Sequence, residues 1–181
     1  MKKYLTYGLC LLFSGVTAIV YAQETPCPAT ITELKQIRKQ NDNPFFSEKC
    51  ENKMLKSIRT GNKEWILGSD FLLGTGSAYL NEATPIAVTL AIPANPIAVL
   101  ELTYKDGGDS VATMQDLCVA PFIEPTEQQI KDFDAAAIKA LQEAKVPAYL
   151  EKARQECIAS FISDKKNAAK FAYNPSTDNS N

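Results

Sequence analysis

The sequence of 181 residues contains no histidine. This absence excludes mechanisms that use an imidazole as base, acid or ligand, including Ser-His-Asp and Cys-His centres and zinc sites that contain histidine. The five cysteines include no Cys-x-x-Cys pair, which excludes a dithiol redox motif. Beyond residue 22, no apolar run is long enough to span a bilayer, because Pro93, Pro96 and Glu101 interrupt the run at residues 86 to 104. Few catalytic mechanisms therefore remain, and the one that we consider below depends on carboxylates.

The chain begins with the pattern of an export signal. Residues 1–22 contain a lysine pair, an apolar stretch and a small final residue, and these are the three parts of a cleavable secretory signal. The pattern predicts cleavage between Ala22 and Gln23. Polar and small residues dilute the apolar stretch, which disfavours the alternative of a membrane anchor. We therefore expect a signal peptide at 1–22, a single domain at 23–173 and a disordered tail at 174–181.

The chain that remains after cleavage is mildly acidic. Lys2 and Lys3 leave with the signal, so 17 of the 19 basic residues remain against 21 acidic ones. No nucleic-acid partner is expected for such a chain. It also has no glycosylation sequon, since a proline excludes Asn174-Pro175-Ser176. These features predict a periplasmic or secreted protein of a bacterial envelope.

Four cysteines remain in the exported chain, and an even number in an oxidising compartment predicts two disulfides. They are Cys27, Cys50, Cys118 and Cys157. A four-cysteine zinc site is disfavoured, because structural zinc uses closely spaced pairs. Three pairings are possible. We favour Cys27 with Cys50 and Cys118 with Cys157, because each bond would join one end of a central sheet to a neighbouring helix.

Helices are predicted at both ends of the domain. Ile31, Leu34 and Ile37 follow Thr30 at helical spacing, and a second helix is expected from Ser47 as N-cap to about Gly61. Near the other end, a capping-box pattern at residues 126–129 starts an apolar stripe with helical spacing. Pro147 can then open a last helix, in which Cys157 points toward the core.

The middle of the chain is rich in residues that favour strands. Ile86 to Ile92 and Ile97 to Tyr104 predict two strands, and a turn at residues 105–109 leads into a third at Ser110 to Met114. Trp65 to Leu67 or Phe71 to Leu73 would supply a fourth. The predicted fold class is therefore α+β: an antiparallel sheet of three to four strands, flanked by N-terminal and C-terminal helices and stapled by disulfides.

One group of residues suggests an interaction surface. Lys49, Lys53 and Lys56 are predicted to share one side of the second helix, and Arg59 and Lys63 follow them. Trp65, the single tryptophan, comes next in the chain. This basic side could meet an acidic partner or an anionic envelope polymer. An ordinary solvated helix face is nevertheless favoured for the basic residues, and a core position at the start of the predicted sheet is favoured for Trp65.

Other patterns give weaker indications of a site. The glycines at residues 68 and 74–76 lack the lysine of a phosphate-binding loop, so a flexible loop is favoured there. Asp106 and Asp109 flank two glycines, and a plain turn is favoured over a calcium site. Carboxylates in or near the predicted sheet are the candidates for glycoside hydrolysis. They are Glu82, Glu101 and Asp116.

The sequence also resembles a known family. The resemblance rests on Cys27-Pro28, Trp65 with Gly68-Ser69, Asn81-Glu82-Ala83, and a predicted strand that ends in Tyr104-Lys105-Asp106-Gly107. These resemble small exported proteins of intracellular bacteria with Dot/Icm type IV secretion, and most of all the periplasmic family named EirA. The similar region covers about residues 64 to 115. Where such proteins often carry a cysteine just before the tyrosine, this chain has Glu101-Leu102-Thr103. The resemblance implies an accessory, non-catalytic periplasmic role with protein partners.

Three functional hypotheses follow from these patterns. The first is an exported, non-catalytic protein that acts through contact with another protein, as an accessory of a bacterial envelope or type IV secretion complex. The second is a secreted inhibitor or small-ligand-binding protein, with residues 68 to 77 as a candidate reactive loop. The third is a hydrolase that acts through carboxylates. We favour the first, and expect no cofactor, no metal and no catalytic residue.

Overall fold

The computed structural model describes residues 24–105, 114–122 and 126–171, and their regular secondary structure is helical. Short 3-10 turns at Ser69–Leu72 and Ala148–Leu150 join some of the helices. The α-helices are α1 (Ile31–Gln40), α2 (Glu48–Arg59), α3 (Lys63–Leu67), α4 (Ala78–Leu90), α5 (Pro96–Lys105), α6 (Met114–Leu117), α7 (Glu127–Glu143) and α8 (Glu151–Phe171).

Three of the helices predicted from the sequence begin directly after their predicted N-cap residues. Thr30 caps α1 by accepting a hydrogen bond from the backbone N–H of Glu33 at 3.1 Å. Ser47 holds the N-cap position of α2, and Gly61 follows its end with a φ of 82°, a left-handed conformation that favours glycine. Thr126 and Gln129 form the predicted capping box of α7. These local signals therefore placed α1, α2 and α7 correctly.

The predicted sheet is wrong, because no strand is present in the described residues. Ile86 to Ile92 forms the second half of α4 and the turn after it, and Ile97 to Tyr104 lies within α5. Trp65 to Leu67 lies in α3, while Phe71 to Leu73 lies in and just after the first 3-10 turn. The fold class in these residues is therefore all-helical and not α+β.

The physical reason for this correction is burial on most sides of α4 and α5. A deeply buried helix needs few polar positions, so its sequence becomes a continuous apolar run that periodicity cannot distinguish from a buried strand. N-cap hydrogen bonds favour the helical form of both segments. Ser77 accepts from the N–H of Leu80 at 3.2 Å, and Asn95 accepts from the N–H of Ala98 at 3.2 Å. Pro96 occupies the first position of α5, where its missing N–H costs nothing.

The core runs through the whole helical array. α2 packs on α4, α3 packs on α5, and α7 packs on α8. Fully buried side chains come from most of these elements, including Met54 of α2, Leu80 of α4, Leu141 of α7 and Phe161 of α8. Because the helices share one hydrophobic cluster, α2 is fixed relative to its neighbours by packing as well as by its disulfide.

Both disulfides are present, with the pairing that we favoured. Cys27 in the segment before α1 is bonded to Cys50 of α2, with 5.4 Å between the Cα atoms. Cys118 after α6 is bonded to Cys157 of α8, with 5.1 Å between the Cα atoms. The reason behind the prediction was wrong, however, since each bond joins a cysteine outside the helices to a cysteine within a helix, and no sheet is involved.

Several predictions concern residues outside the described part of the chain. They are the signal peptide with its cleavage site at Ala22 and Gln23, the turn with Asp106 and Asp109, and the tail at 174–181. Of the strand predicted at Ser110 to Met114, only Met114 is described, and it begins α6. Among the described helices, none has the length and apolar character needed to cross a membrane.

Candidate functional site

The four basic residues of α2 form an exposed surface, which we call the basic stripe: Lys49, Lys53, Lys56 and Arg59. Within the described residues, no carboxylate forms an ion pair with any of the four. The opposite face of α2 is buried and contains Cys50, Met54 and Ile58. The packing therefore directs the stripe to solvent along a length of about 15 Å, at 1.5 Å per residue.

Three further contacts fix the position of α2. The disulfide to Cys27 holds its first turn, and the hydroxyl of Tyr79 on α4 donates to Oδ1 of Asn52 at 2.7 Å. At the other end, the side-chain N–H of Asn95 donates to the carbonyl oxygen of Gly61 at 2.9 Å. Because Asn95 also caps α5, it links the end of α2 to the start of α5. The helix presents its charges from a position fixed at both ends.

Trp65 does not belong to this surface. The structure buries it in α3 with 4% exposure, which is the core position that the sequence favoured, so its side chain is not available to an interaction surface. Burial of the indole contributes to the hydrophobic core shared by the N-terminal helices. The surface beside the stripe therefore has no tryptophan to offer a partner.

The basic residues of α7 and α8 are arranged differently from those of α2. Their described side chains form ion pairs along their own helices: Lys131 with Glu127, Lys139 with Glu143, Lys152 with Glu156, and Arg154 with Glu151. A hydrogen bond from Lys131 holds the pKa of Glu127 below its ordinary value. Hydrogen bonds from Gln155 and Arg154 do the same to the pKa of Glu151. These helices neutralise much of their own charge.

The loop at residues 68–77 is held in place by side chains from α1 and α4. The guanidinium of Arg38 donates to the carbonyl oxygens of Phe71 and Leu73, at 3.2 and 3.0 Å. Oδ1 of Asn81 accepts from the N–H of Gly74 at 2.9 Å. The flexible loop favoured from sequence is thus replaced by a 3-10 turn and a tethered connection. The Gly74 N–H, which a phosphate loop would direct at its ligand, is already occupied.

The three carboxylates proposed for hydrolysis lie on three different helices. Glu82 is exposed on α4, and Asp116 is exposed on α6. Glu101 of α5 is paired with the ammonium of Lys63 at 2.7 Å. Glu101 also lines a surface cavity of about 450 Å³ with Leu67, Tyr104 and Tyr149. The other two carboxylates do not line that cavity, so the structure does not bring the predicted group together there.

The structure contains an acidic groove that sequence reasoning missed. Its volume is about 430 Å³, and it is lined by residues 43–46 before α2, by Glu48 and Glu51 in the first turn of α2, and by residues 75–77 before α4. Phe45 at its edge is 61% exposed, whereas Glu51 is only 8% exposed. The groove therefore combines an accessible aromatic ring with an acidic residue that is mostly buried against the protein.

A signal for this groove was available in the sequence. Glu51 stands three, four and seven residues before Met54, Leu55 and Ile58, which places an acid on the apolar face of α2. The positive end of the helix dipole favours an acidic residue there by about 0.3–1 kcal/mol. A fully desolvated, unpaired charge costs several kcal/mol, so a carboxylate at such a position indicates either a partner or an opening to solvent. The structure supplies an opening.

The groove has the shape of a binding site more than that of a carboxylate-based active site. Glu48 and Glu51 are three residues apart and lie side by side on one helix. Glycoside hydrolysis needs two carboxyl groups that flank the scissile bond. The other lining segments, residues 43–46 and 75–77, contribute no carboxylate. In the ranges that the structure describes, no cluster of three or more acidic or cysteine side chains is arranged to hold a metal ion.

Comparison of this chain with protein-family models, with curated proteins and with solved structures finds no match. The candidate sites therefore rest on their own geometry.

Proposed function

We propose that the protein is an exported, non-catalytic binding protein that docks an acidic protein surface onto the basic stripe of α2. The observation that carries the proposal is that four exposed cations stand together without an ion-pair partner among the described residues. The two disulfides fit a location outside the cytoplasm. The resemblance to EirA-like proteins supports a partner in a bacterial envelope or type IV secretion complex.

The charge distribution supports a role in recognition. Residues 23 to 64 contain 8 basic and 6 acidic side chains, whereas residues 65 to 181 contain 9 basic and 15 acidic ones. Complementary charges steer two proteins into register and raise the association rate, and the effect extends over a Debye length of about 8 Å at physiological ionic strength. A positive helix on an otherwise acidic chain gives a partner one preferred approach.

The fixed position of α2 also favours binding. A partner that docks on a flexible segment loses affinity, because association must then order that segment. Here the disulfide at Cys50 and the hydrogen bond from Asn95 hold α2 at both ends before any partner arrives. The stripe is therefore preorganised for a flat or concave acidic surface.

The hypothesis of a reactive inhibitor loop finds less support. Residues 68 to 77 are held by Arg38 and Asn81, and the loop contains a 3-10 turn. The small-ligand alternative is favoured by one observation, the acidic groove, and is taken up below.

Site-directed photo-crosslinking in the cells that produce the protein tests this function. A photoreactive residue at Thr60, an exposed position at the end of α2, leaves all four cations of the stripe in place. We expect an adduct with an envelope protein whose contact region is rich in Asp and Glu. The matched control is a photoreactive residue at Gln142, which is exposed on α7. No adduct at position 60, or equal adducts at both positions, would count against the proposal.

A further inference from the structure

Contacts within the fold hold the rim of the acidic groove in place. Gly76 at its edge has a φ of 80°, and a Cβ atom there would lie 3.3 Å from Oδ1 of Asn43. The hydroxyl of Thr75 is used inside the fold, where it donates to the carbonyl oxygen of Leu72 at 2.9 Å. The hydroxyl of Ser77 accepts from the N–H of Leu80. These contacts fix the rim of the groove next to the first turn of α2.

Glu51 belongs to this groove, and its carboxylate forms no hydrogen bond or ion pair with the described residues. The residue is more than nine-tenths buried, and its side chain lines the groove. In the described part of the chain, no donor or cation engages its carboxylate. A buried acid without a partner is costly unless a ligand or solvent satisfies it, and here its open side faces the groove. Glu48, one turn away, adds a second acceptor on the same wall.

The surroundings indicate which ligand would fit these two acids. An ammonium or guanidinium group carries only donors and a positive charge, and it therefore matches two carboxylates that lack donors of their own. The exposed ring of Phe45 can cover the aliphatic stem of such a ligand or meet its charge through a cation–π contact. The volume of about 430 Å³ lies within the range of small-ligand sites.

We propose that the acidic groove binds an organic cation, namely an aliphatic ammonium or guanidinium group, with Glu51 as the main ion-pair partner, Glu48 as the second and Phe45 as cover for the stem. The same chemistry can come from a lysine or arginine side chain of a peptide or from a free amine. The site is independent of the basic stripe, which lies on the opposite, exposed side of α2.

NMR titration of the isotope-labelled, disulfide-intact protein tests this assignment. The probes are Nα-acetyl-lysine methylamide for a peptide side chain and 1,5-diaminopentane for a free amine. Nα-acetyl-norleucine methylamide is the uncharged control with a comparable stem. We expect saturable shifts at residues 43–46 and 75–77 with at least one cationic probe, and affinity at least tenfold higher than for the norleucine control. Whichever cationic probe binds more tightly identifies the source of the ligand.

Variants show whether Glu51 carries the binding. Glu51→Gln keeps the shape of the side chain and should weaken binding at least tenfold, whereas Glu143→Gln on α7 should leave it unchanged. Phe45 is mostly exposed, so Phe45→Ala should fold normally and weaken binding about threefold, as expected for loss of a modest cation–π contact. If the Glu51→Gln protein fails to fold, the affinity of the Phe45→Ala protein for the cationic probes becomes the deciding measurement.

Four results would overturn the proposal. The first is the absence of saturable shifts at the groove with both cationic probes, and the second is equal affinity for the norleucine control. The third is unchanged affinity in the folded Glu51→Gln protein. The fourth is unchanged affinity in Phe45→Ala, which applies if Glu51→Gln does not fold. A titration with calcium chloride provides a further comparison. Shifts at the groove with calcium but not with the amines would also reject an organic-cation site.

Discussion

α2 and α8 are each attached to the rest of the chain by one disulfide, but they differ in the ion pairing of their basic side chains and in the exposure of their cysteines. Among the side chains that the structure describes, the basic ones of α2 are exposed and form no ion pair, while those of α8 pair with glutamates of the same helix. The disulfide of α2 reaches an exposed Cys27, whereas both cysteines of the α8 bond are buried. Both helices contribute buried side chains to the core, so the difference lies in their outer faces: α2 leaves its basic side chains available to a partner, whereas α8 neutralises its own.

Removal of each disulfide should give the largest effects. The chain-entropy relation predicts a loss of about 3.9 kcal/mol for Cys118→Ala with Cys157→Ala, and about 3.4 kcal/mol for Cys27→Ala with Cys50→Ala, because the closed loops span 39 and 23 residues. Urea unfolding of both double variants measures the two losses. A smaller loss for the Cys118–Cys157 bond than for the Cys27–Cys50 bond would contradict the order expected from loop length.

The contacts at the end of α2 can be separated from simple helix capping. Asn95→Ala removes both the cap of α5 and the hydrogen bond to Gly61, and should cost about 2 kcal/mol. Thr126→Ala on α7 removes a cap alone and should cost about 1 kcal/mol. Thermal and urea unfolding compare the two. Equal losses would mean that the link from Asn95 to α2 contributes nothing.

The two disulfides should also differ in how fast a reductant reaches them. Cys27 is exposed, while Cys118 and Cys157 are each 1% exposed. Thiol exchange requires access to a sulfur atom, so we expect reduction of the Cys27–Cys50 bond to be at least tenfold faster in native protein. Alkylation at successive times, followed by peptide mass spectrometry, gives both rates. Simultaneous reduction would show that both bonds open only through unfolding.

The ion pairs within α8 should give the stability of the fold a small dependence on pH. The pKa of Glu151 lies below its ordinary value of 4.5, because Gln155 and Arg154 donate to its carboxylate. The lowered pKa means that this carboxylate stabilises the fold above pH 4.5, and that the contribution is lost as the pH falls below that value. Glu151→Gln should therefore be slightly less stable than the parent at pH 7, and the difference should be smaller at pH 3. Urea midpoints at the two pH values measure this, and a pH-independent difference would contradict it.

The comparison also shows what the sequence could predict. Apolar periodicity and caps located α1, α2 and α7, since each of these helices has one buried and one exposed face. The same method failed for Ile86 to Ile92 and Ile97 to Tyr104, because α4 and α5 are buried on most sides and lose that periodicity. Asn95-Pro96 is an N-cap followed by a favoured first helical residue, but the prolines were interpreted as a connector between strands.

The candidate sites were predictable to different degrees. The basic stripe follows from spacing along a single helix, so the sequence was enough to propose it. The acidic groove needs segments that are distant in the chain, at residues 43–46 and 75–77, to meet beside α2. Only Glu51, an acid on an apolar face, gave any local sign of it. The core position favoured for Trp65 agrees with its burial, although the residue lies in α3 and not at the start of a sheet.

The central claim is that the unpaired charges of α2 hold a partner and that the self-paired charges of α7 and α8 do not. The most direct test measures the yield of the crosslinked adduct at position 60 in two triple variants that each remove three positive charges. One changes Lys49, Lys53 and Lys56 to Gln, and the other changes Lys131, Lys139 and Lys152 to Gln. The account predicts at least a tenfold loss of adduct for the first variant and a change of less than about twofold for the second, because exposed ion pairs contribute little to the fold. Equal yields from the two variants would contradict it.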